Sequence, residues 1–183
     1  MKWKILSSEY ISKHIYFTAR RDRCQRDDGK IIDPYFVVEL PVSATALAFT
    51  EEGKVVMVKQ YRHPLDEVML ETPGGFVDEG ESMAEGMKRE LLEETGYAFS
   101  GMEYLGRVAA NPGVLNNYTE LFIATGGKKI ATQQLDHNEE IEIVLFTLEE
   151  IVEMLKKNEI KQSLHVNCLF YALLHMGKLK IAL

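Results

Sequence analysis

The sequence predicts an α/β (α+β) protein, a mixed sheet with helices packed on it. Three observations carry that expectation. Short runs rich in β-branched and aromatic residues, bounded by turn residues, recur through the first sixty residues and again between about residues 103 and 146. The stretch from Ser82 to Gly96 carries both the start and the stop signals of a helix. Two further helical patterns follow Thr147. With 183 residues, 46% of them hydrophobic, the chain can bury a sizeable core, and a single domain over residues 1–183 is expected.

Taken in order, Tyr10 to Thr18 and Tyr35 to Leu40 read as extended, with the polar turn Asp27-Asp28-Gly29-Lys30 between them. Residues 1–40 are thus an N-terminal β-layer. Ala44 to Phe49 and Lys54 to Gln60 flank Thr50-Glu51-Glu52-Gly53 and read as a hairpin of core strands. Ser82 and Glu85 form a capping box, and Gly96 is the C-terminal cap. Glu103 to Ala109, Tyr118 to Ala124 and Ile141 to Phe146 read as strands, with Asn111-Pro112-Gly113 and Gln133 to Asn138 as loops. Thr147 and Glu150 form a second capping box, opening a helix to about Lys157. A last helix is expected from about Gln162 to Met176, where Leu164, Cys168, Tyr171, Leu174 and His175 recur at helical spacing.

Composition excludes several classes. No apolar run reaches the roughly 18 to 20 residues of a membrane span, and Met1-Lys2-Trp3-Lys4 opens onto no signal core, so a soluble, cytoplasmic protein without a membrane partner is expected. Cys24 and Cys168 match no zinc spacing and read as reduced packing residues. A net charge of −7 argues against nucleic acid as a partner, since that needs a basic face to displace counterions. Acidic residues gathered in one site can instead attract divalent cations, and those can carry an anionic phosphate substrate.

The informative stretch runs from Gly75 to Gly96, GFVDEGESMAEGMKRELLEETG. On a helix at about 100° per residue, Glu90, Glu93 and Glu94 share one face with Arg89 at its edge. A glutamate-rich face is commonly just solvated. Like charges at three- and four-residue spacing repel, however, and a bound cation reverses that penalty. Mg²⁺ is commonly held by one or two carboxylates plus substrate phosphates.

These residues resemble the Nudix family, whose box places Gly75, Glu81, Arg89, Glu90, Leu91, Glu93, Glu94 and Gly96 at the same offsets, with Tyr97 where an aliphatic residue is usual. Seven fixed identities at these spacings coincide by chance on the order of once in 10⁸ start points. The resemblance implies an α/β/α sandwich with the box at residues 75–97. It implies Mg²⁺ or Mn²⁺ held by Glu90, Glu94, the Gly74 carbonyl and Glu93, with Gly75, Glu81, Arg89 and Gly96 structural. Arg89 can fix the rotamer of a box carboxylate. A later glutamate is expected to act as base, Glu139 first and Glu140 second, and Glu93 is a further catalytic candidate.

Pro112 lies sixteen residues beyond Gly96 of the box, and the resemblance extends to it, since ADP-ribose and ADP-sugar pyrophosphatases typically carry a proline about there. The expected reaction is therefore hydrolysis of a nucleoside diphosphate sugar such as ADP-ribose to AMP and a sugar phosphate. Arg62 is expected to clamp the diphosphate and Phe76 to line the sugar pocket. The resemblance also implies a homodimer formed through the N-terminal layer, from which Tyr35 or Phe36 could stack on a base. The alternatives are another Nudix substrate (GDP-mannose, a UDP-sugar, a dinucleotide or a dNTP) or a nucleotide-sugar sensor that binds without cutting. Glu90, Glu93 and Glu94, all present, and the lack of room for a DNA-binding domain argue against the sensor.

Overall fold

Strands that are apolar on both faces must be covered on both faces, and three strands of this chain are of that kind. The computed structural model describes residues 2–14 and 17–179. It forms two compact units: residues 42–108 with 119–183, and residues 1–41 with 109–118.

In the larger unit, β4 (Ser43–Thr50), β5 (Val55–Arg62) and β9 (Thr119–Lys129) supply an almost continuous buried run. They form the centre of a seven-stranded mixed sheet in the order β10-β5-β4-β9-β8, with β8 spanning Tyr97–Val108 and β10 Ile141–Phe146. Two short strands, β6 (Glu67–Glu71) and β7 (Gly74–Phe76), pair with β5 and β4. Helix α1 (Met83–Thr95) covers one face through Met87 and Leu91, which pack on Ala44, Ala46, Val56 and Phe122. Helices α2 (Leu148–Lys156) and α3 (Ser163–His175) cover the other through Ile151, Leu169 and Ala172 against Leu47, Val55, Met57 and Ile123. This is the expected α/β/α sandwich. Each fully buried Leu or Met on these helices contributes about 2 kcal/mol of apolar burial.

The expected β4–β5 hairpin forms, but its ladder is short, with Ala48 opposite Val56 and Phe49 opposite Val55. Beyond that β4 leaves β5 and takes β7 as partner, Thr45 opposite Gly74 and Ala44 opposite Gly75. The splay draws the Pro73-Gly74-Gly75 turn into the sheet. A Cβ on Gly74 would collide with the Ala44 carbonyl, so the approach requires glycine.

In the smaller unit, β1 (Lys4–His14), β2 (Phe17–Gln25) and β3 (Ile31–Glu39) form an antiparallel sheet. The run Tyr10 to Thr18, which reads as extended, supplies the end of β1 and the start of β2, with His14 paired to Phe17. Its residues 15 and 16 lie outside the described residues. Arg20 bridges buried Asp22 and Glu39 across β2 and β3. The Tyr35 hydroxyl donates to the Gly113 carbonyl at 2.9 Å, tying residues 109–118 to β3.

Candidate active site

Helix α1 is fixed at both ends by its own sequence. The Ser82 Oγ accepts from the Glu85 N–H at 3.3 Å, Glu85 Oε2 accepts from the Ser82 N–H at 3.1 Å, and Gly96 closes the helix in the left-handed region at φ 71°. With Met87 and Leu91 committed to the sheet, Glu90 and Glu94 are turned toward the β7 turn. The Gly74 N–H donates to Glu94 Oε2 at 2.8 Å. A Cβ on Gly75 would run into the Glu90 carboxylate, so the bare backbone is what lets that carboxylate lie there.

Arg89 ties the acidic residues together. Its Nε and one amino nitrogen donate to the two oxygens of Glu81, both at 3.0 Å. The other amino nitrogen donates to Glu90 Oε1 and Glu93 Oε2, each at 2.9 Å, and the Phe76 carbonyl accepts a further bond at 2.9 Å. The Glu81 carboxylate raises the Arg89 pKa above its ordinary value, and Arg89 in turn lowers that of Glu81. One guanidinium thereby sets the rotamers of three box glutamates.

Burial pushes the Glu90 carboxyl up to about 7 and the Glu94 carboxyl up to about 8. The charges of neighbouring carboxylates add to both: Glu90 raises Glu94, and Glu139 raises both of them. Such crowding of hard oxygen donors fits a divalent cation, which would replace protons with positive charge. Glu90 and Glu94 each have one oxygen that takes no hydrogen bond among the described residues. No three His, Cys, Asp or Glu side chains converge on one point among the described residues. An ion held by two carboxylates would complete its shell with carbonyl, water and phosphate oxygens, the mode magnesium commonly adopts.

The segment after β9 hangs from the C-terminal end of α1. The Ile130 and Ala131 N–H groups donate to the Gly96 carbonyl, the Gln134 N–H donates to Glu93 O at 2.8 Å, and Gln133 Nε2 donates to Glu94 O at 2.7 Å and Ile141 O at 3.1 Å. Glu139 Oε2 accepts from the Asp136 N–H at 3.0 Å, and Glu139 is half-buried, whereas Glu140 is exposed. The Glu139 charge acts on Glu90, Glu94 and Arg62.

Arg62 leaves β5 and pairs with Glu71, Nε to Oε1 at 3.0 Å and an amino nitrogen to Oε2 at 2.5 Å. Phe76 has an exposed ring. Pro112 belongs to the smaller unit. His63 and His137 are exposed. Sequence reasoning missed Glu71, Gln133 and a buried chain of Thr45, Thr72 and His165. The one local signal in the sequence was a glutamate, Glu71, directly before Thr72-Pro73-Gly74-Gly75.

The NUDIX domain family model matches residues 39–166, and the nucleoside diphosphate sugar hydrolase N-terminal domain model matches residues 3–38. The methanol dehydrogenase activator of Bacillus methanolicus is 33% identical over 165 residues, 87% of this chain and 89% of its own. The ADP-ribose pyrophosphatase of Bacillus subtilis (strain 168) is 31% identical over 147 residues, 72% and 80% of the two chains. Among solved structures, an ADP compounds hydrolase superposes with a TM-score of 0.84 over 98% of each chain at 19% identity, which shows the same fold. A family match over residues 39–166, which include the whole seven-stranded sheet and the glutamate helix, together with a relative 33% identical over 87% of the chain, makes the chain a member of the Nudix hydrolase family, whose enzymes depend on a divalent metal.

Proposed function

We propose that the chain hydrolyses the pyrophosphate linkage of a nucleoside diphosphate sugar, ADP-ribose first among them, giving AMP and a sugar phosphate. The observation that carries this reading is the pair of carboxylates set against the glycine turn before the helix, Glu94 accepting from the Gly74 N–H and Glu90 lying over Gly75. The relative from Bacillus subtilis named as an ADP-ribose pyrophosphatase supports the choice of sugar nucleotide.

Glu90, Glu94 and the Gly74 carbonyl would hold Mg²⁺ or Mn²⁺, with Glu93 beside them. When bound, the ion neutralises phosphate charge and acidifies water. Arg89 keeps the carboxylates in place. Arg62 commits Nε and one amino group to Glu71, and its remaining amino group, without a hydrogen bond among the described residues, would donate to a diphosphate oxygen. Glu139 takes the proton of the attacking water. The water oxygen forms a new P–O bond, and the bridging P–O bond breaks with its electron pair leaving on the second phosphate. Phe76 offers an apolar wall to the sugar, and Pro112 is retained as a substrate-side residue on resemblance alone.

The test is hydrolysis, with Mg²⁺, of ADP-ribose, ADP-glucose, GDP-mannose, UDP-glucose, NADH, diadenosine polyphosphates and dNTPs, following the mononucleotide released. AMP appearing fastest from ADP-ribose supports the proposal. Preference for another diphosphate keeps the chemistry and moves the substrate, and tight binding without cleavage overturns the catalytic reading. The similarity to the methanol dehydrogenase activator favours a second reading, in which the chain stimulates such a dehydrogenase. Substoichiometric addition to purified methanol dehydrogenase tests it directly.

A further inference from the structure

Glu71 is 1% exposed, yet it carries a charge no metal-site argument uses. Burial alone would raise its pKa. Hydrogen bonds from His165 and Arg62 outweigh that and hold it down at about 2. His165, on the inner face of α3, is also buried, with Nε2 3.2 Å from Glu71 Oε2 and Nδ1 2.7 Å from Thr72 Oγ1. Thr72 Oγ1 lies 2.6 Å from Thr45 Oγ1, which reaches the Pro73 carbonyl at 3.0 Å. An unbroken polar chain thus runs from α3 to two features of the site. One arm ends on Arg62, whose charge is coupled to Glu94 and Glu139. The other ends on the residue before Gly74. Placing a charged carboxylate and a histidine in a core costs several kcal/mol unless both are fully paired. An apolar pair would satisfy the packing equally well, so packing alone does not account for them.

We propose that His165 is a positioning residue for the reaction: through Glu71 it holds the Arg62 guanidinium toward the carboxylate cluster, and through Thr72 and Thr45 it fixes the turn carrying Gly74. This rests on the reading in which Arg62 binds the substrate diphosphate. Supporting groups of this kind change activity about ten- to a hundredfold when removed.

His165→Leu removes both arms and keeps the volume. Its KM for ADP-ribose is expected to rise about tenfold with a smaller change in kcat, while the melting curve still reports a folded protein. In an Arg62→Ala background the same substitution adds no further rise in KM. Independently of turnover, the Arg62 Nε–H resonance, assigned by its loss in Arg62→Lys, is expected to be slow-exchanging in the wild type and lost in His165→Leu. His165→Gln restores a donor toward Glu71 and should recover both KM and the resonance. His165→Asn, polar but too short to reach Glu71, replaces His165→Leu if that variant does not fold, and should lose the resonance too. An unchanged Arg62 resonance, or KM effects of the two sites that simply add, overturns the proposal. If the wild type does not cleave ADP-ribose, the functional reading falls by itself and the resonance alone decides the positioning.

Discussion

Glu94 is buried, accepts one backbone hydrogen bond, and feels the negative charges of Glu90 and Glu139, so its charge is a cost to the metal-free fold. Its folded pKa of about 8 and that of Glu90, about 7, both lie above the ordinary 4.5. The folded state therefore holds these protons more tightly than the unfolded chain. That contribution is full below the unfolded value and is lost as pH rises through 7 and 8. In EDTA, the melting temperature should fall between pH 6 and pH 9, and saturating Mg²⁺ should remove most of the fall. A flat metal-free profile would contradict the raised values. The neutral isostere Glu94→Gln separates the two roles of the residue. Turnover should drop by at least about a hundredfold, beyond the ten- to hundredfold of a group that only supports a ligand. Its melting temperature in EDTA at pH 9 should rise, because a buried charge is gone. Normal turnover in a folded Glu94→Gln protein would sink the assignment of Glu94 to the metal.

Among the elements, α1 has two ends with different jobs. Ser82 serves only its own N-terminus, and Ser82→Ala should cost about 1 kcal/mol while leaving kcat of the folded enzyme unchanged. Gly96 also bears the irregular segment leading to Glu139, and an alanine there meets both a positive φ of 71° and the Ala131 carbonyl. Gly96→Ala should therefore cost more than about 1 kcal/mol and lower kcat as well. Thermal melts and kcat measured well below the melting temperature distinguish the two, and equal kcat values would detach the Glu139 segment from the site. Both caps of α1 were legible because their partners lie within three or four residues. β2 was not, since its run Ala19-Arg20-Arg21-Asp22-Arg23 is polar and its charges find partners on β1 and β3. In α3 the helix was legible but its inner face was not. The buried row is His165, Cys168, Leu169, Ala172 and Leu173, while Tyr171 and Leu174 are exposed. The helical spacing of Leu164, Cys168, Tyr171, Leu174 and His175 shares only Cys168 with that row, and the contact from His165 to Glu71 spans ninety-four residues of sequence. In the β5–β6 ladder Arg62 stands opposite Glu67 and Glu71 opposite Val58, so the Arg62–Glu71 contact is made by long side chains and not by register, and the five-residue β6 with its two glutamates gave no alternating pattern to read.

For the whole molecule, the question is what covers the N-terminal sheet. Strand β1 is exposed along almost its entire length although it carries Ile5, Leu6, Tyr10 and Ile11. Phe17, Ile31 and Phe36 add exposed apolar area on the neighbouring strands. A free edge strand of this composition invites pairing with another chain. A second copy is the simplest occupant, since a twofold contact satisfies both edges with one surface. We therefore expect light scattering to give twice the 20.9 kDa chain mass at micromolar concentration. Ile5→Asp combined with Ile11→Asp should shift the protein to the monomer, because two charges desolvated in an interface cost far more than on an open surface. Residues Glu90, Glu94 and Glu139 all lie in the larger unit, so the monomer should retain metal binding. A rise in KM on dissociation would mean that the second copy contributes to substrate binding, as stacking by Tyr35 or Phe36 requires. A wild-type monomer with the same activity would leave this apolar layer to a different partner, and the methanol dehydrogenase assay then becomes the direct test of which one.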